Sequence, residues 1–381
     1  MQALFPVLRR ALRLIKKDKM RGLRLLRRAA IPFSLIALSL FCISLVIYLI
    51  CVSSTSAADF FNSTVGHALR ATLGSIMRIF PFSVFEILVL LSPLIFLVLI
   101  LLALRFGREV WGRVRVIGVF IAVISLIASS YIFTLGIAYR TTPTAYHLGL
   151  NAGKTPTHAE LVNTFITLRD NANSLAEELG SGDCTSMRLS YAELSAVLSE
   201  SYRTLAAEYP EIKTYNTRMK PVIFSTVMSD AGITGIYSFF TGEANVNVEY
   251  PDYTVPFTAA HEFAHARGIA REEEANFLAF LVCIRSSDPY VQYSGYLSMY
   301  EYLASALYSL DKELYLELKA GLSDTARGDI LLSHAVTEKH KQSLLGRINE
   351  RLNDLYLKSN GQAGVVSYSY VVRLCTDYYN R

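Results

Sequence analysis

The sequence predicts an α-helical membrane segment of three transmembrane helices, followed by a mostly helical α+β domain with a short β-hairpin. Three features predict this fold. Three uncharged apolar stretches lie within the first 140 residues, each long enough to cross a bilayer as a helix. The rest of the chain carries long helical patterns and only two short runs of β-branched and aromatic residues. Finally, His261 and His265 stand four apart in an alanine-rich helical stretch, a spacing that puts two imidazoles on one helix face.

Composition agrees with a membrane protein: 52% of residues are hydrophobic and the mean hydropathy is +0.32, high for a soluble chain. The apolar stretches run over 31–52, 87–104 and 116–138, and none contains Lys, Arg, Asp or Glu. Any one of them alone would suit a buried core helix, but three so close together read as spans. The first begins too far from the N-terminus, and lacks the small-residue cleavage site, for a removable signal peptide. The chain thus divides into a basic N-terminal segment (1–30), a three-span region (31–139) and a large domain (140–381).

Orientation follows from the cations near the spans. Before the first lie Arg9, Arg10, Arg13, Lys16, Lys17, Lys19, Arg21, Arg24, Arg27 and Arg28 against Asp18 alone, and the 105–115 loop carries Arg105, Arg108, Arg113 and Arg115 with Glu109. The 53–86 loop has only Arg70 and Arg78. The N-terminus and the 105–115 loop are therefore expected in the cytoplasm, with residues 140–381 outside it. Leu8, Leu12, Ile15, Leu23 and Leu26 recur at helical spacing in the basic segment, which suits anionic lipid headgroups. Nucleic acid is the rival partner for such a segment, but its place beside a span favours lipid, and no nucleic-acid partner is expected.

Within 140–381, residues 157–179 and 191–209 read as helices, the first with Pro156 just before it and the Gly180–Asp183 loop after it. Residues 233–240 and 244–248 flank Gly242 and read as a hairpin, either a structural cover or an edge to which an extended peptide adds. Further helices are expected over 290–310, 312–321 and 339–357.

The chemistry concentrates in His261-Glu262-Phe263-Ala264-His265, an H-E-x-x-H motif. On a helix it offers two nitrogens to one zinc ion and sets Glu262 beside the metal as a base. Ala259, Ala260, Ala264 and Ala266 favour the helix and leave room around it. Gly268 follows where a left-handed helix cap is expected. A third ligand is sought in Glu272-Glu273-Glu274, although acids in a first turn also serve the helix dipole. Glu272, Ala275 and Asn276 share a face, a carboxylate backed by a small residue and an amide able to steady a ligand histidine. Glu272 is therefore the expected third ligand, with Glu274 and then Glu273 as alternatives. His67, His147, His158, His334 and His340 have no ligand-like spacing.

H-E-x-x-H followed by E-x-x-A-N resembles the gluzincin peptidases, whose third zinc ligand is a glutamate on the next helix. The resemblance implies a zincin-like domain in which His261, His265 and Glu272 hold Zn2+, Glu262 is the catalytic general base and Asn276 supports a ligand histidine. Only six residues separate His265 from Glu272, fewer than gluzincins commonly have, and Arg271 stands where metzincins place a third histidine. The strings Pro81-Phe82-Ser83, Gly242-Glu243-Ala244-Asn245-Val246-Asn247, Pro256-Phe257-Thr258 and Asn353-Asp354-Leu355-Tyr356 resemble those of a bacterial family of membrane proteins of unknown function with a metallopeptidase-like C-terminal domain. That resemblance implies a multi-pass protein of the bacterial cell membrane with its large domain outside the cytoplasm.

These features point to a membrane-anchored zinc metallopeptidase acting on a peptide or protein substrate, with Glu262 taking the proton of the attacking water. Tyr237, Tyr296, Tyr300 and Tyr302 are candidates to stabilise the oxyanion. Charge and Pro256 around the motif argue against cleavage within the membrane. The alternative from another class is a non-catalytic sensor or scaffold with a structural zinc, but closed structural sites take four protein ligands, whereas three and a base are found here. Of the five cysteines, Cys42 and Cys51 belong to the first span, Cys283 reads as a small buried hydrophobe, and a Cys184–Cys375 bridge is left open.

Overall fold

The computed structural model of the chain describes residues 33–106, 110–180, 182–362 and 368–381. The basic N-terminal segment with its expected headgroup contact lies outside the described residues, as do Arg108 and Glu109 of the loop between the second and third apolar stretches. In chain order the helices are α1 (Phe33–Ser53), α2 (Thr55–Phe61), α3 (His67–Met77), α4 (Val84–Phe106), α5 (Val110–Tyr131), α6 (Thr144–His147), α7 (His158–Leu179) and α8 (Tyr191–Glu208). Then follow β1 (Met219–Val222), α9 (Ser225–Asp230), β2 (Gly235–Ser238), β3 (Glu243–Asn247), α10 (Thr254–Ala266), α11 (Glu272–Ile284), α12 (Pro289–Leu310), α13 (Lys312–Lys319), α14 (Asp324–His340), α15 (Leu344–Ser359) and α16 (Tyr368–Tyr379).

Among the described residues three helices are long and apolar enough to cross a membrane: Phe33–Ser53, Val84–Arg105 and Gly112–Arg140. The second and third contain the stretches 87–104 and 116–138, and the first contains the described part, 33–52, of the stretch 31–52. The chain forms two compact units. One comprises the described residues up to Leu49 together with Leu88–Ile132. Small residues let α1 and α5 approach closely here: Ser34 lies against Gly118, and the buried Ser44 hydroxyl lies 3.5 Å from that of Ser129.

The second unit joins Ile50–Ile87 to Phe133–Arg381. Residues 50–87, grouped by the sequence with the membrane region, thus belong structurally to the large domain. They are helical rather than a plain loop because Ser54 caps α2 by accepting from Ala57 N–H, and a π-helical turn at Asn62–Gly66 carries the chain into α3.

Local signals set the other helices. Thr157 with Glu160 and Ser190 with Glu193 close capping boxes at the starts of α7 and α8. Asp288 caps α12, whose first residue is Pro289. The helix expected over 339–357 is in fact two, because the Ser343 hydroxyl accepts from Leu345 N–H and starts α15 afresh after α14.

The sheet has the order β1-β3-β2, with β1 parallel and β2 antiparallel to β3. The hairpin is present; β1 was not foreseen, since Pro221 weakens its strand signal, although an edge strand tolerates proline. The alternation in β3 serves two faces. Ala244 and Val246 join the core that includes α10, while Glu243, Asn245 and Asn247 are buried in polar contacts. The Glu243 carboxylate accepts from the Val84 and Phe85 N–H groups at 3.0 and 2.7 Å, capping the start of α4 with negative charge. The main core lies between α7, α8, α10, α11, α12 and α16, with Phe165, Tyr202, Phe263, Phe277, Phe280 and Tyr293 among its largest members. Among the described residues all five cysteines are free; Cys184 is exposed and Cys375 buried, so the open Cys184–Cys375 bridge is not formed.

Candidate metal centre

The site is built on α10, α11 and the turn between them. Nearly every residue of α10 is buried, and one of its otherwise orphaned amides, Phe257 N–H, donates to the Ser294 hydroxyl at 3.0 Å. Tyr202 donates to the Ala260 carbonyl at 2.7 Å and holds the middle of the helix. At its C-terminal end Gly268 N–H donates to His265 O and Ile269 N–H to Ala264 O, a double closure that requires the left-handed φ of +88° at Gly268. The reversal starts α11 at Glu272, whose side chain returns to the two histidines.

His261 Nε2 and His265 Nε2 are 3.0 Å apart, His261 Nε2 lies 3.3 Å from Glu272 Oε2, and His265 Nε2 lies 3.6 Å from Glu272 Oε1. Among the described residues this is the group of three whose ligand-type atoms all fall within 4.8 Å of one another. For a tetrahedral zinc with bonds near 2.05 Å, ligand atoms should be separated by about 3.4 Å. The separations of 3.0–3.6 Å, those to Glu272 running to its two different oxygens, bracket that spacing, so two imidazole nitrogens and a carboxylate could hold a zinc ion. Nδ1 of His265 donates to the Ile269 carbonyl at 2.8 Å, which leaves the Nε2 lone pair facing the cluster.

Charge is arranged consistently. Burial pushes His265 down to about 4, so its ring is neutral at pH 7. Burial also opposes the charge on Glu272, but the adjoining His265 and His261 outweigh it and hold the carboxyl below its usual range. Burial likewise lowers His261, yet Glu272, Glu262 and Asn276 together lift it above the ordinary imidazole value. The Asn276 contact is looser than a closed hydrogen bond, since His261 Nδ1 has no partner within bonding distance.

Glu262 leaves α10 about 100° around the axis from His261 and lies against β2. A methyl group added at Gly235 would touch the Glu262 Oε1 atom and sit 3.0 Å from its Cδ, so the absence of a side chain there makes room for the carboxylate. Burial pushes the Glu262 carboxyl up to about 8, against a smaller opposing effect of the Tyr237 backbone amide on the same strand. Among the described residues Glu262 Oε2 has no hydrogen-bond partner, although Glu262 is only 3% exposed.

The other acids of α11 face elsewhere. Glu274 Oε1 accepts from Ala145 N–H at 3.3 Å, and Oε2 lies 3.5 Å from Arg271 Nη1. Burial raises Glu273 to about 7. Arg271 also donates to the Tyr139 and Thr141 carbonyls. Of the tyrosines considered for the oxyanion, Tyr237 belongs to β2, the strand against which Glu262 lies, whereas Tyr296 and Tyr300 pack on Phe280 and Phe165.

Sequence reasoning missed what supports the turn from outside. The Asn62 amide donates to the Gly268 carbonyl at 3.1 Å, and the fully buried Arg70 guanidinium covers Gly268 while donating to the Thr134 and Asn62 carbonyls, each at 2.9 Å. Arg70 entered the sequence reading only as a loop charge. Its signal was weak: one basic residue in an otherwise mild segment between two spans. Gly235 had a clearer one, a glycine within a β-run.

No curated protein and no solved structure matches the chain. A family profile described as "Protein of unknown function (DUF3810)" matches residues 61–376. The matched region starts in α2 and runs through the sheet, the histidine–glutamate cluster and most of α16. Covering most of the chain, that match establishes that the protein belongs to the DUF3810 family.

Proposed function

We propose that the large unit is a membrane-anchored zinc metallopeptidase that hydrolyses peptide bonds outside the cytoplasmic membrane. The observation that carries this reading is the convergence of His261, His265 and Glu272 at zinc-ligand spacing, with Glu262 buried beside them without a partner for one oxygen. A zinc ion held there supplies Lewis acidity, making an attacking water more acidic and polarising the scissile carbonyl. Glu262 accepts the proton of that water and passes it to the leaving amine nitrogen. The space left by Gly235 gives the carboxylate its place against β2, so the base is positioned before substrate arrives. Because β2 is a sheet edge beside Glu262, an extended peptide is the substrate form the site suits. The side chains of His261, His265 and Glu272 retain 13%, 10% and 17% exposure, enough for solvent to reach the cluster.

Membrane anchoring rests on the three apolar helices, and the outside location on the cations of the N-terminal segment and the 105–115 loop. The test uses the full-length chain in lipid nanodiscs. It should bind one zinc per chain, cut some members of a diverse peptide library, and stop when a chelator is added. Glu262→Gln should keep the metal and lose about 10²–10⁴-fold in rate. Undiminished cleavage by Glu262→Gln would remove Glu262 from the mechanism. A zinc site of four protein ligands with no cleavage would leave a structural scaffold. A reporter active only outside the cytoplasm should work when fused after Arg381 and fail within 105–115.

A further inference from the structure

α15 is amphipathic in a direction that a purely soluble domain would not use. On a helical projection Leu344, Ile348, Leu352 and Leu355 fall within about 80° of one another. All four point away from the unit, with exposures of 63%, 46%, 59% and 64%. The opposite side faces the protein: Leu357 is fully buried and the Asn349 amide donates to the Ala231 carbonyl at 3.0 Å. Arg347 and Arg351 border one side of the apolar stripe, within about 60° of its edge, with Lys358 beside them in an ion pair with Asp354 at 2.6 Å. All three are exposed. Leucines flanked by snorkelling cations are the pattern of a helix lying in a headgroup layer.

One contact of α15 reaches a candidate span directly and another reaches one through α9. Asn349 holds it to the residue that caps α9. Just before α9, the Ile223 and Phe224 N–H groups donate to the carboxylate of Glu86, in the first turn of α4, at 3.1 and 2.8 Å. Ile223 and Phe224 are themselves exposed, Ile223 by 78%. Towards the other end, Tyr356 meets Tyr139, in the last turn of the third candidate span, hydroxyl to hydroxyl at 3.1 Å and ring edge to face. The second and third spans are consecutive, so Val84 and Arg140 emerge on the same side of a bilayer. Tyr139 and Glu86, the residues reached by these contacts, thus adjoin the two ends that emerge together.

We propose that α15, with Ile223 and Phe224, is an interfacial anchor that lies in the outer headgroup layer, inserting its leucine stripe among acyl chains and setting its cations against anionic phospholipid. This goes beyond the peptidase reading and does not depend on it. It does rest on the three apolar helices being spans, and the experiment separates the two.

The chain has a single tryptophan, Trp111, which permits a clean fluorescence test. In a Trp111→Phe background, tryptophan is placed singly at Leu352, at Leu355, at Glu350 on the polar side, and at Leu97 within the second span. The full chain is reconstituted in phosphatidylcholine–phosphatidylglycerol vesicles whose acyl chains are brominated near the headgroup. Emission from Leu352→Trp and Leu355→Trp should be blue-shifted and quenched about twofold or more, that from Glu350→Trp little changed. Quenching at Leu97→Trp with none at either α15 leucine would overturn the proposal while leaving the spans intact. A blue shift at Leu352→Trp without bromine quenching would also overturn it, showing protein, such as a second copy, over the stripe. Absence of quenching at Leu97→Trp and Leu352→Trp alike would overturn the membrane reading and this proposal together.

Discussion

Substituting Gly268 by alanine tests whether the turn, rather than the helix motif alone, creates the metal site. The perturbation has two parts. Gly268 sits at φ +88°, and a side chain there costs about 1–2 kcal/mol. The new methyl would also lie 2.6 Å from Arg70 Cζ and 2.6 Å from Asn62 Oδ1. A guanidinium at a flexible chain end would ordinarily swing aside, but Arg70 is 1% exposed and held by two backbone carbonyls at 2.9 Å. Displacing a buried, charged hydrogen-bonding group of this kind costs about 1.5–3 kcal/mol per bond lost. With one such bond lost the sum is roughly 2.5–5 kcal/mol, a large share of the whole stability of an ordinary domain. We expect the unfolding midpoint of the full-length chain in nanodiscs to drop on the order of 10 °C. Zinc content should fall with it, because Ile269 O and Glu272 lose their positions relative to His265. Gly268→Asn separates the two parts: asparagine accepts left-handed φ but is bulkier, so it should be as damaging as alanine if crowding against Arg70 dominates. A Gly268→Ala chain with the wild-type midpoint and full zinc would refute the account of the turn.

Glu272→Gln should lower zinc content, whereas Glu274→Gln should leave it intact and cost about 1–3 kcal/mol of stability through the Ala145 and Arg271 contacts; equal zinc loss in both would show that the ligand assignment is wrong. Gly235→Ala should retain zinc and lose at least about tenfold in peptide hydrolysis, because the methyl competes with the Glu262 carboxylate for its place against β2; unchanged turnover would mean that the carboxylate position does not matter. His340 is raised above the ordinary imidazole value by Asp230 first, at 2.7 Å, and then by Glu249 at 3.1 Å. A raised imidazole contributes stability that is fully present below its unfolded value near 6.5 and is lost as pH rises through the folded value. Glu249, lowered to about 2 chiefly by Lys339, contributes above the carboxylate range and loses its contribution as pH falls towards 2. The midpoint should therefore decline above neutral pH in the wild type and stay flatter in His340→Gln, and identical pH profiles would rule the imidazole out as the cause.

What the sequence by itself determined about this protein are the features whose physics is local. Hydropathy over some twenty consecutive residues marks a candidate span whatever the rest of the chain does, and the described residues of all three stretches lie in helices of the required length. The four-residue spacing of His261 and His265 places both on one face as soon as a helix forms, and Gly268 marks its end through its own backbone freedom. The short run 244–248 after Gly242 likewise announces a strand, found at Glu243–Asn247. Only the tertiary structure decided which acid of three joins the histidines, because that depends on the turn, the orientation of α11 and the prior engagement of Glu274 by Ala145 and Arg271. It also decided that Arg70 and Asn62 brace a turn some two hundred residues away, that β1 completes the sheet in parallel, and that residues 50–87 belong to the large unit. Such contacts join segments far apart in sequence and leave no periodic trace in either one, so they can be read only once the chain has folded.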